Sequence, residues 1–158
     1  MSESPVVQIV DFLPEHQQGY RDVNVEWISK YFKMEDSDFK ALDHPQEYIL
    51  DKGGYIAVAI LEGKVVGTSA LIKMKEEGVY ELAKMGVNPD IHGKGIGKKL
   101  GEHVIRKARE LGATKLYLES NRILVPAITL YKKLGFEEIT GYQSPYERCD
   151  IQMELPLV

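Results

Sequence analysis

The spacing of apolar positions changes several times along the chain and marks out successive elements. Val6 to Asp11 alternates weakly between apolar and polar residues and predicts a first strand. A helix is predicted from Pro14, because proline suits the first turn of a helix and large apolar residues then recur at helical spacing: Tyr20, Val23, Trp27 and Tyr31. A second, shorter helical region is predicted to follow and to restart at Pro45.

From residue 55 onward the apolar pattern becomes that of strands joined by short polar turns. It predicts an antiparallel meander of three strands on hairpin-length connections: Tyr55 to Leu61, Val65 to Met74 and Val79 to Val87. Helical spacing then predicts a helix from Ile96 to Leu111, ended by Gly112. Because this helix is a crossover, the next strand, Leu116 to Leu118, is predicted to run parallel to the third strand of the meander.

The last part of the chain completes an α+β pattern. A helix is predicted from Pro126 to Leu134 with Gly135 at its end, followed by strands over Phe136 to Thr140 and Cys149 to Leu155. No repeat, low-complexity tract or long linker interrupts the pattern, so we expect residues 1–158 to form a single domain. The predicted fold is a mixed, mostly antiparallel sheet with a central parallel strand pair, flanked by helices.

The composition excludes several classes of protein. With 158 residues, 44% of them hydrophobic and 28% charged, the chain can form a sizeable core and is neither disordered nor collagen-like. Cys149 is the only cysteine, so neither an internal disulfide nor a cysteine cluster for zinc can form. We expect Cys149 to be a small hydrophobic residue in a buried strand. No grouping of His, Asp or Glu has the spacing of metal ligands, so no metal is expected.

The charge is unevenly distributed. The net charge of −4 argues against a general nucleic-acid-binding protein, yet the segment from His92 to Glu110 carries +4 and the remainder of the chain −8. A local positive region on an acidic protein suits a small anionic ligand, although the solvated face of a helix is a simpler explanation of the charge alone.

Neither a signal peptide nor a membrane span is predicted. Met1 to Pro5 lacks the basic and apolar regions of a signal peptide. The longest uncharged stretches, such as Gly53 to Leu61, are far shorter than the ~18 apolar residues that a membrane span needs. We therefore expect a soluble cytoplasmic protein without a membrane partner.

The stretch most informative about chemistry is a glycine-rich loop that joins the third strand of the meander to the following helix. Glycines allow backbone N–H groups to approach a ligand closely, and a helix N-terminus adds N–H donors and the positive end of a dipole, a combination that binds phosphate. The spacing of Gly93, Gly95 and Gly97 matches neither a Walker loop nor the dinucleotide fingerprint. Taken alone, the loop is explained equally well as a tight turn for strand–helix packing.

The order of elements around this loop resembles the GNAT superfamily of acetyl-CoA-dependent N-acetyltransferases over essentially the whole chain. The resemblance rests on the Gly-x-Gly-x-Gly loop at 93–97, on Glu119-Ser120-Asn121 at a strand end and on Tyr131-Lys132-Lys133-Leu134-Gly135-Phe136 in the last helix. It implies an α/β/α sandwich-like GNAT fold and the transfer of an acetyl group from acetyl-CoA to a primary amine by direct attack in a ternary complex. The acceptor would be a small-molecule or peptide amine, and a homodimer is compatible with the family.

The resemblance also assigns residues to the cofactor. Family members bind the pyrophosphate on a loop written Arg/Gln-x-x-Gly-x-Gly/Ala, and the corresponding residues, with the lysine that follows them, are His92, Gly93, Lys94, Gly95, Ile96, Gly97 and Lys98. His92 stands where the family usually has Arg or Gln. Met85 and Val87 would face pantetheine and the thioester, with the Val87 N–H as oxyanion donor. Asn121 resembles the asparagine that hydrogen-bonds pantetheine, and it is equally suited to cap a turn before Pro126.

Two residues are candidates for proton transfer. A carboxylate can accept the proton that an amine must lose before it attacks, and some family members place a catalytic glutamate where Glu81 stands. The period of two predicts that Glu81, Ala83, Met85 and Val87 share one face of their strand. The alternative role for Glu81 is that of an exposed strand residue. Tyr131 lies where the family's general acid for the thiolate commonly lies, and the alternative role for Tyr131 is packing on an apolar stripe formed by Ala127, Leu130 and Leu134.

The acceptor side is predicted less sharply. Trp27 to Pro45, where this fold builds the roof over the acceptor, combines aromatic and acidic residues that could receive a cationic amine or could be the core and solvent sides of two helices. Tyr142 to Arg148 is expected to form the opposite wall. No catalytic role is expected for His44, which precedes a proline, or for His103, which is expected on the polar face of its helix. A non-catalytic acyl-CoA-binding sensor or scaffold remains the alternative function, and a nucleotide-phosphate transferase would lack a Mg²⁺ site.

Overall fold

The computed structural model describes residues 6–91, 94–141, 144 and 147–158. The strands, in chain order, are β1 (Gln8–Asp11), β2 (Tyr55–Leu61), β3 (Lys64–Lys73), β4 (Val79–Val87), β5 (Lys115–Ser120), β6 (Glu137–Ile139) and β7 (Ile151–Pro156). The helices are α1 (Gln17–Tyr31), α2 (Asp36–Asp43), α3 (Ile96–Glu110) and α4 (Val125–Leu134). A 3-10 turn (Pro14–His16) precedes α1, and a π turn (Gln46–Leu50) follows α2.

In the described ranges, all seven strands belong to one sheet with the order β1-β2-β3-β4-β5-β7-β6. Neighbouring strands are antiparallel except β4 and β5, which are parallel and are joined by the crossover helix α3. The predicted mixed sheet with a central parallel pair is therefore confirmed. Within the described ranges, no helix is both long and apolar enough to cross a membrane.

Helices cover the two faces of the sheet differently. On the α3 face, helices α3 and α4 pack on the strands through residues that include Tyr80, Leu82 and Leu116. On the α1 face, α1 and α2 cover β2 and β3 through a separate core that includes Val58 and Ala70. These two names are kept below for the two faces of the sheet.

A bulge in β4 changes which face of the sheet the side chains after it point to. Ala70 of β3 lies opposite Ala83, and Thr68 lies opposite Gly86, so β4 contains one residue more than β3 over this stretch. The extra length is absorbed at Lys84, whose φ of 51° lies in the left-handed region.

The bulge overturns the prediction that Glu81, Ala83, Met85 and Val87 share one face. Glu81 lies opposite Ile72 of the α1-face core, whereas Met85 and Val87 pack against the core on the α3 face. An inserted residue inverts the alternation of side chains beyond it, so the first two residues and the last two point to opposite faces.

Beyond its first residues, β4 also separates from β5. The two strands pair at Val79–Lys115, Tyr80–Leu116 and Glu81–Tyr117, and no further pairs follow. From Leu82 onward the edge of β4 that faces β5 therefore has no ladder partner among the described residues. A cleft opens there in the middle of the sheet.

Two further predictions are corrected by the structure. Cys149 precedes β7, which begins at Ile151, and is half-buried rather than part of a buried strand. His103 does not lie on an open polar face, because its Nε2 is 2.8 Å from the hydroxyl of Tyr55 at the start of β2. The same hydroxyl donates to Asp11 at 2.6 Å, so His103 belongs to a polar contact between α3 and the sheet.

Candidate active site

A cavity of about 370 Å³ occupies the cleft between β4 and β5. Its lining comes from both faces of the sheet, with Trp27 and Phe32 contributed by the α1 side and Gly97, Leu130 and Tyr131 by the α3 side. The cavity thus passes through the sheet where the two parallel strands separate. Two molecules that entered from opposite faces would meet beside β4.

The N-terminus of α3 forms one end of this cavity. Gly95 is the residue before the first helical turn and has φ 62°, and a Cβ placed there would meet no atom within 4 Å, so glycine serves the backbone conformation. Among the described residues no side chain caps the helix, and its first turn contains no acidic residue. Free N–H groups, the helix dipole and the nearby Lys94 and Lys98 suit an anion such as a pyrophosphate. His92 and Gly93, the first two residues of the predicted loop, lie outside the described residues.

The exposed edge of β4 forms the middle of the cavity, where Met85 and Val87 both contribute to the lining. The N–H of Asn88 donates to the carbonyl of Val66 at 2.7 Å, which makes these two residues a hydrogen-bonded pair. In an antiparallel ladder such pairs alternate with pairs whose backbone groups point outward. The backbone N–H of Val87 is therefore directed away from β3 and toward the cleft, as an oxyanion donor would be.

Glu81 lies in the cavity wall at the point where β4 and β5 still pair. Among the described residues no hydrogen bond or ion pair engages its carboxyl group. Burial, and then the nearby charge of Glu119, raise the pKa of Glu81 to about 7, while Lys84 acts in the opposite direction. A carboxyl group with a pKa near neutrality is suited to accept and release protons.

Glu119 is a second carboxylate in the same cavity, and the sequence analysis assigned it no role. Tyr117 donates a hydrogen bond to Oε1 of Glu119 at 3.1 Å, and the hydroxyl of Ser144 donates to Oε2. Since Glu81 pairs with Tyr117 in register, and Glu119 follows two residues later, both carboxylates lie on the α1 face. The available signal was the period of two along β5, but only the register with β4 brings the two glutamates together.

Tyr131 is buried in α4 and contributes to the cavity wall on the α3 side. Its ring meets Phe136 edge-on, with centroids 6.0 Å apart, so the apolar packing considered as the alternative role is present. Burial raises the pKa of its phenol to about 12, and the group is protonated at neutral pH. The role of general acid remains a prediction.

Asn121 lines the cavity, but its side chain also has a structural task. Its amide nitrogen donates to the carbonyl of Arg148 at 2.6 Å, and its amide oxygen accepts from the N–H of Ile123 at 3.0 Å. The turn-capping role considered for Asn121 is therefore observed. The hydrogen bond to pantetheine remains a prediction.

A buried ionic cluster, which the sequence analysis did not predict, stands behind the α1 side of the cavity. We use this name for Glu35, Asp38, Lys84 and Arg148. Nζ of Lys84 lies 2.7 Å from Oδ1 of Asp38, and the side chains of these two residues are 4% and 0% exposed. The guanidinium of Arg148 donates to both carboxylate oxygens of Asp38, at 2.6 and 2.7 Å, and to Glu35 at 3.2 Å.

The ionic cluster is electrically balanced, because it contains two carboxylates and two cations. Burial on its own would raise the pKa of Asp38, but the hydrogen bonds from Arg148 and the charge of Lys84 outweigh it and lower the pKa to about 2. Burial lowers the pKa of Lys84, although Asp38 opposes this. A lysine in the middle of a mostly apolar strand was the available signal for Lys84 in the sequence.

The predicted aromatic roof is formed in part. Trp27 packs directly on Gly86 of the bulged strand, where a Cβ would lie 2.5 Å from the indole ring, and its Nε1 donates to Asn24 at 3.0 Å. Phe32 lines the cavity, and the guanidinium carbon of Arg148 lies 5.8 Å from the centre of its ring. Phe39, in contrast, is exposed and is not part of the lining.

The opposite wall of the acceptor side was predicted from Tyr142 to Arg148. Ser144, Glu147 and Arg148 are the members of this segment that the structure describes, and Arg148 and Ser144 reach the site as stated above. Residues 142, 143, 145 and 146 lie outside the described residues. In the part of the chain that is described, no three His, Cys, Asp or Glu side chains are placed to hold a metal ion.

Comparison with known proteins agrees with this geometry. A sequence profile of the Acetyltransferase (GNAT) family matches residues 21–136. The uncharacterized N-acetyltransferase YjgM of Escherichia coli (strain K12) is 39% identical over 120 residues, which cover 71% of this chain and 70% of that protein. N-acetylaspartate synthetase of Xenopus tropicalis is 37% identical over 97 residues, which cover 61% of this chain but only 36% of that longer protein.

Among solved structures, an acetyltransferase of the GNAT family from Staphylococcus aureus Mu50 has the same fold. It matches with a TM-score of 0.87 over 97% of this chain and 100% of its own, at 22% sequence identity. This likeness concerns the fold alone.

Proposed function

Because the chain belongs to the Acetyltransferase (GNAT) family and is an acyltransferase, we propose that it transfers the acetyl group of acetyl-CoA to a primary amine by direct attack in a ternary complex. The observation that carries the proposal is the cavity that passes through the sheet. It joins the N-terminus of α3, which suits an anion, on one side to two carboxylates on the other. The phosphates of a thioester donor would lie at the helix N-terminus, and a cationic acceptor would lie at the carboxylates.

Acetyl-CoA supplies the activated acetyl group, and the protein has a group suited to each successive part of the acetyl-CoA molecule. The uncapped N-terminus of α3, with Lys94 and Lys98, would hold the pyrophosphate. The unpaired edge of β4 would bind pantetheine through the backbone of Met85 and Val87. Pantetheine would take the place that an added strand would occupy beside this edge. Residues 92 and 93 belong to the same predicted loop and would complete the phosphate site.

The acceptor ammonium must lose two protons and the departing thiolate must gain one, so each turnover releases one proton to solvent. Glu81 removes a proton from the acceptor ammonium, so that the neutral amine can form the new C–N bond as the C–S bond breaks. The N–H of Val87 stabilises the negative charge that develops on the carbonyl oxygen. The phenol of Tyr131 gives its proton to the departing thiolate, and the alignment of the two substrates in one cavity lowers the barrier further.

A second candidate acceptor is an amino acid with additional carboxylates, which the name of the N-acetylaspartate synthetase relative suggests. Arg148 and Lys84 line the cavity and are the groups that would favour such an acceptor. Both are bound to Asp38, however, and their charges are balanced within the ionic cluster. An acceptor carboxylate would have to compete with buried protein carboxylates, so the amine without added carboxylates is favoured.

The proposal also includes the domain organisation, the class of acceptor, the location and the oligomeric state. The continuous seven-stranded sheet supports one domain over residues 1–158, and the net charge of −4 supports a small-molecule or peptide acceptor rather than a nucleic acid. A cytoplasmic location without a membrane partner is part of the proposal. Light scattering in solution distinguishes a monomer from a homodimer.

The proposal is tested by the release of free thiol from acetyl-CoA in the presence of a panel of amines. Turnover that depends on the amine, with the acetylated product identified by mass spectrometry, is the expected result. Thermal stabilisation by coenzyme A without turnover of any amine would favour the alternative, a sensor or scaffold that binds acyl-CoA.

A further inference from the structure

The acceptor end of the cavity contains two carboxylates and no cation that is bound to either of them among the described residues. Glu81 and Glu119 lie on the same face of neighbouring strands and both line the cavity. From the strand spacing and a stagger of two residues along strands that also diverge here, their Cα atoms are separated by at least about 8 Å. The carboxyl of Glu81 lies in the cavity wall and has no hydrogen-bond partner in the described part of the chain, so it is open to a ligand in the cavity.

Among the described residues, Glu119 is held by neutral hydrogen-bond donors and not by a cation. Both of its oxygens accept hydrogen bonds, from Tyr117 and from Ser144, and these neutral donors leave its negative charge uncompensated. The two cations of the cavity wall, Lys84 and Arg148, are bound to carboxylates of the ionic cluster. The acceptor end therefore has a surplus of negative charge.

The aromatic residues of the roof complete this environment. Trp27, Tyr31 and Phe32 line the cavity on the α1 side. Faces of aromatic rings are suited to alkyl chains and to ammonium groups. A slender acceptor with positive charge at two points fits this combination of walls and charges.

We propose that the acceptor is an alkyl diamine or polyamine, whose reacting amine is deprotonated at Glu81 while a second ammonium group is bound by Glu119. This inference rests on the proposed function and names the substrate class of the same site. In the reaction, the first ammonium loses a proton to Glu81 and its nitrogen bonds to the acetyl carbon as the C–S bond breaks. The thiolate takes a proton from Tyr131, and the acetylated nitrogen loses its second proton to solvent. Solvent then returns a proton to Tyr131 and removes the one on Glu81, while the second ammonium stays charged throughout.

The test compares three acceptors of similar size. The diamine is 1,4-diaminobutane, 1-aminopentane replaces its second ammonium by a methyl group, and 5-aminopentanoate replaces it by a carboxylate. We expect kcat/KM for the diamine to exceed that for the monoamine by about tenfold or more, because a charge-assisted contact with Glu119 forms only with the diamine. The amino acid is expected to be the poorest acceptor.

The variant Glu119→Gln assigns the preference to one residue. The ratio of kcat/KM for the diamine to that for the monoamine should fall by about tenfold, since the amide keeps the shape but loses the charge. Glu137→Gln is the matched control, because Glu137 is an exposed glutamate of β6 outside the cavity lining. This control should keep the parent's ratio, and thermal stabilisation by acetyl-CoA verifies that each variant is folded.

Two results would overturn the inference: a preference for 5-aminopentanoate, or equal kcat/KM for diamine and monoamine in the parent protein. An unchanged ratio in folded Glu119→Gln would also overturn it. If Glu119→Gln does not fold, Glu119→Asp and the parent's acceptor order decide the question. Acetylation of the monoamine without a diamine preference would defeat this inference alone, whereas the absence of thiol release with every amine would defeat the proposed function.

Discussion

Lys84 and Asp38 form a buried ion pair, 2.7 Å from Nζ to Oδ1, that ties the bulge of β4 to helix α2. A non-glycine residue in the left-handed region, such as Lys84, is destabilised by about 1–2 kcal/mol, and the pair with Asp38 helps to hold it there. The same carboxylate binds Arg148 from the segment before β7. One buried aspartate thus connects the strand at the centre of the active site with both walls of its acceptor side.

The first prediction concerns this aspartate. Asp38→Asn should lower the free energy of unfolding by about 3–5 kcal/mol, because it leaves the buried cations Lys84 and Arg148 with only the carboxylate of Glu35 to balance them. Urea unfolding of Asp38→Asn, Lys84→Met and the double variant at pH 7 measures the coupling. Asp43→Asn, at the half-exposed pair with Arg21, is the control and should change stability by less than about 1 kcal/mol.

The contribution of Asp38 should also depend on pH. Its pKa in the folded protein, about 2, lies below the ordinary value of 3.8, so the stabilisation is fully present above about pH 4 and is lost as the pH falls toward 2. If Asp38→Asn proved as stable as the parent at pH 7, the ionic cluster would not be a stabilising feature.

A second prediction addresses the general base. The rate of acetyl transfer should rise with pH through about 7, because Glu81 must be ionised to accept a proton. Glu81→Gln should remove this dependence and lower kcat by roughly 10²–10⁴. Glu77→Gln, in the exposed turn before β4, should keep the profile of the parent. A pH–rate profile in Glu81→Gln that matches the parent's would mean that another group removes the proton.

The same glutamate gives a third prediction that does not depend on activity. The pKa of Glu81 is higher in the folded protein than its ordinary value of 4.5, so the stability that its protonated form provides is present below pH 4.5 and is lost as the pH rises through about 7. Glu81→Gln cannot ionise and should therefore melt about 2–8 °C above the parent at pH 8. At pH 4.5 the two proteins should melt at similar temperatures. Equal differences at both pH values would exclude a raised pKa.

The fourth prediction tests Tyr131 as the general acid. Tyr131→Phe keeps the ring and its contact with Phe136 but removes the proton, so folding should persist while kcat falls by roughly 10²–10⁴. An acyl donor with a more acidic thiol needs less help to depart and should recover part of the lost rate. The measurement is the ratio of variant to parent kcat for the two donors, and equal ratios would refute the acid role.

The fifth prediction separates charge from conformation at the helix N-terminus. Gly95 has a left-handed backbone and open space around it, and asparagine tolerates this conformation better than most residues. Gly95→Asn should therefore bind acetyl-CoA nearly as the parent does, while Gly95→Asp, of almost the same shape, should bind about tenfold more weakly because its charge opposes the pyrophosphate. Calorimetric titration measures both. Gly97 is less suited to this test, since a Cβ there would lie 3.1 Å from Leu130.

Much of the fold was predictable because the relevant signals are local. The meander from β2 to β4, the crossover helix α3 and the helix before Gly135 follow from apolar spacing and from glycine stops, and the structure confirms each of them within one or two residues. The candidates Glu81 and Tyr131, which rested on the strand and helix pattern and the family resemblance, both lie in the cavity wall. Cys149 was wrongly predicted to lie in a strand, because the spacing of apolar residues does not mark clearly where β7 begins.

By itself, the sequence determined the order and type of the elements, the parallel pair made by a crossover and the glycine loop at a helix N-terminus, all of which depend on residues close to one another in the chain. Only the tertiary structure decided which face each residue of β4 occupies beyond Lys84. The bulge depends on Asp38, 46 residues away, and Arg148 reaches that aspartate across 110 residues. The pairing of Glu81 with Glu119 likewise depends on the register of β4 with β5. Long-range ion pairs and strand register leave no periodic trace in a sequence, because they arise from the packing of elements rather than from any one of them.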